Sequence, residues 1–502
     1  MRFLNSLRNS ALALLGQVVS IVLGFGVRWV FVRQLGQEYL GVNSVMESVL
    51  MILSMAELGI GTSVAFALYK PIANGDEKRI ASLMAFYKLV YRILGIGTAV
   101  IGPLLIPFMG FFTREAVEVA HINAIYLLFV LNTVLSYFFS YKRTLFSACQ
   151  KHYVVSVAED GMAVLKYTLQ ALVLLRFGSY IGYLLINLLC GVSTNLILSV
   201  LCDKQYPYLK TYKKEKLCQE DREKLKKSVV SLMVQKICAK LVTSTDNLMI
   251  SYAKLTLMGV YSNYSMVVST ISRVVYQVLR SILGSVGDLM VQKDGERKYR
   301  VFQEFAFANF CCYFFFSVGI SACLERFLVL WAGEEWLLSP AVTFVVVMNF
   351  FLHGQREANV VVIEAAGIFN HLRMKAVGEV VVNLAVSYLF LAVFQMGIYG
   401  VLLGTTVSMV SVCIWWEVWA VHKYALHRPV AYYYRGYFRQ LFSAAVGCFA
   451  AYGASAWIPV DGLGGLLLAG LGAVGIFLVM LLLFHGRTRE FRALLERFGI
   501  RV

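Results

Sequence analysis

Residues 463–485 of the chain read LGGLLLAGLGAVGIFLVMLLLFH and contain no Asp, Glu, Lys or Arg. An α-helix needs about 20 apolar residues to cross about 30 Å of hydrocarbon. Inside a membrane the backbone must satisfy its own hydrogen bonds, so only helices and closed barrels can span it. Because the stretch is much longer than the roughly 9–11 alternating residues of a barrel strand, it predicts a membrane-spanning α-helix.

Most of the remaining sequence has the same character. Of its 502 residues, 59% are hydrophobic and only 15% are charged, and the mean hydropathy is +0.69. A soluble domain could not bury this much apolar surface, so lipid must be the solvent for most of the chain. Because the first apolar run is long enough to span and lacks a small-residue cleavage site, we expect no cleavable signal peptide. Apolar runs between charged breaks predict an all-α integral membrane protein with about fourteen spans, near residues 10–32, 41–66, 84–110, 119–140, 153–176, 180–202, 229–252, 257–288, 301–329, 338–364, 376–395, 398–421, 440–458 and 463–485.

The distribution of Lys and Arg predicts the orientation of these spans. With the amino terminus inside, the breaks rich in basic residues all fall on the cytoplasmic side, and 203–228 is the richest of them. The opposite loops hold few, such as Arg33, Arg176 and Arg326. This agrees with the positive-inside rule and with both termini in the cytoplasm. The net charge of +17 is therefore topological and argues against nucleic-acid binding.

The ten cysteines indicate neither a metal site nor a cofactor. Seven of them lie within apolar runs, where a thiol behaves as a small hydrophobic group, and no CxxC or Cys/His ligand spacing occurs. We expect no cofactor and no metal.

The sequence contains an internal duplication. At an offset of 218 residues, Leu7-Arg8-Asn9-Ser10 aligns with Leu225-Lys226-Lys227-Ser228, and Gly41-Val42 aligns with Gly259-Val260. Six spans per copy make the two copies parallel, and the surface between parallel repeats is the usual substrate site of transporters. The predicted organisation is an N-lobe (1–204, spans 1–6), a basic cytoplasmic linker (205–228), a C-lobe (229–422, spans 7–12), two extra spans (423–486) and a cytoplasmic amphipathic tail (487–502). The two lobes would enclose a central cavity.

Eight basic residues fall inside the predicted spans: Arg28, Arg92, Lys166, Lys236, Lys240, Arg273, Arg280 and Arg356. Each costs about 2.5–3.5 kcal/mol at a lipid-facing helix centre, so most must face protein or water. Lys236, Lys240 and Thr243 share one helical face. Arg92 lies near the cytoplasmic edge and is expected to snorkel. The predicted substrate-binding cations are Arg28, Lys236, Lys240, Arg273, Arg280 and Arg356. The alternative is internal pairing, for example of Arg356 with Glu357 or of Lys166 with Glu159 or Asp160.

Two roles are possible for the four acidic residues in the spans, which are Glu57, Asp246, Glu379 and Glu417. Burial can raise a carboxyl pKa toward neutrality, as ion or proton coupling requires. Charge pairing with nearby Lys and Arg is the plainer explanation. Asp246 aligns with Arg28 in the duplication, which suggests a pair between the two copies.

Two blocks resemble the Wzx-type polysaccharide flippases of the multidrug/oligosaccharidyl-lipid/polysaccharide exporter (MOP) superfamily. The first extends from Arg28 through Leu35-Gly36-x-Glu38-Tyr39-Leu40-Gly41-Val42-Asn43 to Ala56-Glu57-Leu58-Gly59, and the second contains Asp246-Asn247-Leu248 and Gly259-Val260-Tyr261-Ser262-Asn263-Tyr264. The resemblance implies two six-helix lobes, alternating access, and export of a polyprenyl-diphosphate-linked oligosaccharide across a bacterial inner membrane. It also implies a polysaccharide polymerase and glycosyltransferases as partners. The basic residues inside the spans, chiefly Arg28, Lys240, Arg273 and Arg280, would then form the site for the diphosphate.

Three other functions remain open. A drug exporter of the same fold would need a cavity lined mainly by aromatic residues, and a lipid II flippase would differ only in the headgroup of its substrate. A membrane glycosyltransferase or polymerase would need catalytic residues on an ordered outer loop. The longest such loop, around 331–336, is short, so we expect a transporter and not an enzyme.

Overall fold

The computed structural model describes residues 2–57, 60–112, 121–149, 151–212, 219–280, 295–366 and 368–497. These residues form helices and connecting turns, and the described part of the chain contains no β-strand. The helices are α1 (Arg2–Leu53), α2 (Ile60–Ala73), α3 (Glu77–Leu104), α4 (Ile106–Phe112), α5 (Ile122–Ser140), α6 (Arg143–Ala148), α7 (His152–Phe177), α8 (Tyr180–Gln205), α9 (Tyr208–Thr211), α10 (Gln219–Ala253), α11 (Leu255–Arg280), α12 (Gly295–Trp331), α13 (Pro340–Ala366), α14 (Arg373–Tyr388), α15 (Gly397–Ser408), α16 (Ile414–Ala420), α17 (Ala431–Ala456), α18 (Gly462–His485) and α19 (Arg489–Arg497).

The helices confirm the prediction of an all-α, multi-pass membrane protein. Among the described residues, eight helical segments are long and apolar enough to cross a membrane. Five further helices, α7, α10, α11, α13 and α17, have 26 to 35 residues and coincide with the predicted spans 5, 7, 8, 10 and 13. These five helices are long enough to cross a membrane but less apolar, because polar and charged side chains interrupt them. This is expected for helices that face protein or water instead of lipid.

Two predicted spans differ in detail from the helices observed. The first two spans lie within α1, which is broken at Gly36, where φ is +80°. Only glycine adopts this left-handed conformation without strain, so the chain changes direction there within one residue. The second span was predicted to run to residue 66, but α1 ends at Leu53 and is followed by the single turn Ser54–Glu57. The helix resumes at Ile60 as α2.

By its internal contacts the chain forms two compact units, Met1–Gly259 and Val260–Val502. The first unit thus includes α10, whereas the sequence placed the lobe boundary in the linker 205–228; the lobe boundaries stay a prediction. Its core between α2, α3, α5, α6 and α8 is built largely from tyrosines and aliphatic side chains, such as Tyr87, Tyr91 and Leu145. In the second unit, phenylalanines of α12 form the core, with Phe310 stacked on Phe314 at 5.3 Å. The tail helix α19 packs on this core, because the ring of Phe491 lies 6.4 Å from that of Phe307.

A close helix crossing in the first unit follows the duplication. A Cβ atom on Gly41 would overlap the carbonyl oxygen of Leu255, and a Cβ atom on Gly259 would overlap the carbonyl oxygen of Gln37. The 218-residue offset relates Gln37 to Leu255 and Gly41 to Gly259. The contact of Gly41 with Leu255 and the contact of Gly259 with Gln37 are therefore equivalent under a local two-fold axis. Only glycine permits this approach of two backbones.

Candidate functional site

The exposed face of α10 is cationic. Lys236, Lys240 and Thr243 all have exposed side chains, and their spacing places them on one face of the helix. A face in contact with lipid looks different: α3 exposes Leu89, Ile93 and aliphatic residues at the same helical spacing beyond them. Since two adjacent ammonium groups would be costly against hydrocarbon, we expect this face of α10 to meet water.

A second polar stripe follows α11 in the second unit. Ser265, Ser269, Arg273 and Gln277 are exposed at four-residue intervals. The Arg273 guanidinium donates a hydrogen bond to Thr270 Oγ1 at 3.2 Å, within its own helix. The Arg273 side chain is otherwise exposed. Arg280 ends this helix, and its side chain lies outside the described residues.

Arg28 has a carboxylate on the same broken helix. Glu47 is the acidic residue that acts most strongly on Arg28, and Lys166 of α7 also acts on Glu47. Asn43 Nδ2 donates to Glu47 Oε1 at 2.9 Å, and the Tyr180 hydroxyl donates to Asn43 Oδ1 at 3.0 Å. The break at Gly36 allows residues 28 and 47 to approach, since on a straight helix they would be about 28 Å apart. The sequence analysis overlooked Glu47, although a carboxylate within an apolar span was a signal for it.

Four charged side chains of the second unit form a closed ion-pair network. Arg356 donates to Glu417 through Nε at 3.0 Å and through Nη2 at 2.7 Å, and its Nη1 lies 3.3 Å from Glu379 Oε1. Lys375 Nζ lies 2.7 Å from both Glu379 and Glu417. The four side chains are at most 13% exposed. Two cations and two carboxylates therefore neutralise each other between the helices α13, α14 and α16.

This network changes the interpretation of several predicted site residues. Arg356 was predicted to face a substrate, but its guanidinium is engaged by two carboxylates, which favours a structural role. Its partners are Glu417 and Glu379, whereas the predicted partner Glu357 lies 4.0 Å from His353. For Glu379 and Glu417 the contacts correspond to the charge-pairing alternative.

The other predicted acidic residues have different surroundings. Glu57 accepts a hydrogen bond from the Tyr91 hydroxyl at 2.5 Å, and Tyr87 donates to Tyr91 at 2.9 Å. Among the described residues, a tyrosine chain and not the expected Lys or Arg thus contacts this carboxylate. Asp246 is buried on the flank of the α10 stripe. Glu159 pairs with Arg143 at 2.5 Å instead of with Lys166. Within the described residues, no three His, Cys, Asp or Glu side chains converge as metal ligands.

The fold has relatives among solved structures. A lipid II flippase, MurJ, in an inward closed conformation superposes with a TM-score of 0.68 and 10% identity, covering 95% of this chain and 99% of that one. An inward-facing multidrug resistance MATE-family transporter gives 0.62 and 12%, covering 80% and 94%. A MOP-superfamily transporter from Pyrococcus furiosus gives 0.57 and 13%, covering 83% and 96%. No family model matches the sequence, and no curated protein matches it.

The chain shares the fold of these solved transporters. Identities of 10–13% establish the architecture alone, because one fold supports many functions. The polar stripes of α10 and α11 lie on helices of this multi-pass membrane architecture. The match to the flippase covers 95% of the chain, and so extends beyond the duplicated part into α17 and α18.

Proposed function

We propose that this protein is a flippase that moves a polyprenyl-diphosphate-linked oligosaccharide from the cytoplasmic to the outer leaflet by alternating access. The observation that supports this proposal is the exposed cationic face of α10, with Lys236 and Lys240 one turn apart. A substrate of this class has an anionic diphosphate, a large polar sugar headgroup and an apolar tail. It needs a hydrated, cationic surface for the headgroup while the tail stays in lipid.

The two lysines suit a diphosphate better than a neutral ligand. The Cβ atoms of two lysines one helical turn apart are about 5–6 Å from each other. The two phosphates of one diphosphate can therefore contact both ammonium groups. Arg273 would add a planar guanidinium, whose paired N–H groups match phosphate oxygens. Arg28 has Glu47 as its neighbour, so we assign it to an internal charge pair that a substrate anion would have to displace.

Transport would follow from exposure of this surface to each side of the membrane in turn. The ion-pair network of Arg356, Lys375, Glu379 and Glu417 would keep its helices together as one body during this motion, because separating any one member leaves a buried charge. The Glu57–Tyr91–Tyr87 chain is the proposed place for proton or ion coupling in the first unit.

A lipid II flippase is the second candidate. The length of the structural match to MurJ favours it, and its substrate would also present a diphosphate. The two candidates therefore share the cationic surface and differ in the headgroup.

The test is transport in proteoliposomes that contain a fluorescent polyprenyl-diphosphate oligosaccharide or, in parallel, fluorescent lipid II. Arrival in the outer leaflet is measured by accessibility to a headgroup-specific lectin or enzyme. We expect transport by the unmodified protein and its loss in the triple variant Lys236→Gln, Lys240→Gln, Arg273→Gln. Lys70→Gln, an exposed lysine at the end of α2, is the control. Full transport by the triple variant would exclude the cationic surface, and transport of lipid II alone would select the second candidate.

A further inference from the structure

A basic cavity lies at the end of α3 and α8 in the first unit, apart from the stripes described above. It has a volume of about 700 Å³. Its lining includes four basic side chains, Lys88, Arg92, Lys142 and Lys210, and one carboxylate, Asp203. This is the end of the helices that the Lys and Arg distribution assigns to the cytoplasm.

The only acidic side chain in the lining is already engaged. Asp203 Oδ1 lies 2.5 Å from Lys142 Nζ, which also donates to Ser199 Oγ at 2.8 Å. Asp203 Oδ2 lies 3.8 Å from Lys210 Nζ. A single carboxylate thus serves two lysines, and the lining carries four basic side chains against this one carboxylate.

The cavity opens toward lipid. Arg92 is exposed, and its neighbours on the same helix, Leu89, Ile93 and Ile96, are 56%, 60% and 57% exposed. An arginine on such an aliphatic surface is costly unless its guanidinium reaches a polar group at the membrane edge. Lys88 lies one turn nearer the cytoplasmic end, with its Nζ 5.9 Å from the centre of the Tyr141 ring. The cations therefore face a site with hydrocarbon on one side and the interface on the other.

We propose that this cavity binds the phosphate of an anionic membrane phospholipid from the cytoplasmic leaflet. A phosphodiester offers anionic oxygens to this basic lining, and basic pockets between helices at the cytoplasmic edge recognise such headgroups. A free phosphate has the same charge chemistry. The lipid is favoured because its acyl chains can cover the exposed Leu89 and Ile93, which a soluble anion cannot do.

The experiment measures the melting temperature of the purified full-length protein in a neutral detergent. Phosphatidylglycerol, phosphatidylcholine with the same acyl chains, and glycerol phosphate are added in separate titrations. We expect a saturable rise in melting temperature with phosphatidylglycerol only. In the double variant Lys88→Gln, Arg92→Gln, the phosphatidylglycerol concentration that gives half of this rise should increase about tenfold, the effect of losing about one charge-assisted hydrogen bond.

Each variant is compared with its own lipid-free melting temperature, so a change in basal stability does not obscure the result. Arg92→Lys should retain most of the affinity, and Lys70→Gln, outside the cavity, all of it. An unchanged half-point in the double variant would overturn the proposal. An equal rise with glycerol phosphate would assign the cavity to a soluble anion and overturn the lipid assignment. Because no transport is measured, the result is independent of the proposed flippase function.

Discussion

The second unit encloses Arg356 among Lys375, Glu379 and Glu417 with its side chain 12% exposed, whereas the first unit leaves Lys236 and Lys240 exposed on α10. Both sets of cations lie on helices of a membrane protein. In the network every charge has an opposite charge within 3.3 Å. On α10 the two ammonium groups share their face with a neutral Thr243.

The buried network and the exposed face of α10 illustrate two ways in which charged side chains can occur in a membrane protein. A closed network adds little net stability when complete but is costly to break, because removing one partner leaves an uncompensated buried charge. An exposed cationic face contributes almost nothing to folding. Such a face on a spanning helix is what the proposed function, which places an anionic ligand there, requires.

The largest effect is expected from breaking the network. Glu417→Gln leaves Arg356 and Lys375 to share Glu379 alone, and we expect a loss of about 3–5 kcal/mol of stability. The measurement is thermal or denaturant unfolding of the purified protein. Glu334→Gln, an exposed carboxylate in the loop before α13, should change stability by less than about 0.5 kcal/mol.

A double variant sharpens this test. Arg356→Met with Glu417→Leu removes one cation and one carboxylate and leaves Lys375 paired with Glu379. It should be more stable than Glu417→Gln, because no net charge is left buried. If the single and double variants were equally stable, the network would not be the closed neutral unit described here.

An intermediate effect is expected at the glycine crossing. Gly259→Ala places a methyl group against the carbonyl oxygen of Gln37, and the two backbones must separate, at a cost of about 1–3 kcal/mol. Gly436→Ala, on α17 with open space around it, is the control for an alanine in a helix. A stability equal to that of the control would show that the crossing is not tightly packed in solution.

The smallest effect on stability is expected on the cationic face. Lys240→Gln should change unfolding by less than about 0.5 kcal/mol but weaken binding of a short-chain prenyl diphosphate about tenfold. Calorimetry at low and high salt measures the affinity for the prenyl diphosphate. The difference in affinity between the unmodified protein and the variant should shrink at high salt, because screening weakens the interaction of exposed charges.

The duplication supplies the matched control for this prediction. The 218-residue offset relates Lys240 to Val22, which is 65% exposed on α1. Val22→Gln places the same side chain at the equivalent position of the other copy. Equal weakening by both variants would mean that the lysine charge does not contribute to diphosphate binding.

The apolar runs sufficed to predict the helices, because span length and hydropathy are local properties. The offset of 218 residues aligned Gly41 with Gly259, but the backbone contacts of these two glycines were not predicted from it. The charge partners were harder to predict. Glu47 reaches Arg28 only because Gly36 breaks α1, and Glu417 is 61 residues from Arg356. Such pairs depend on how helices pack around each other, which helical periodicity does not specify.

The exchange-symmetric contact of Gly41 with Leu255 and Gly259 with Gln37 has a further consequence. Before duplication, a protein consisting of one copy would have made this contact with a second, identical chain, as in an isologous dimer. Any substitution in that ancestor changed both sides at once. Fusion into a single polypeptide would allow each side to diverge alone, and the two copies now differ, with lysines at positions 236 and 240 and valines at the equivalent positions 18 and 22. Asymmetry of charge thus became available without loss of the symmetric backbone contact.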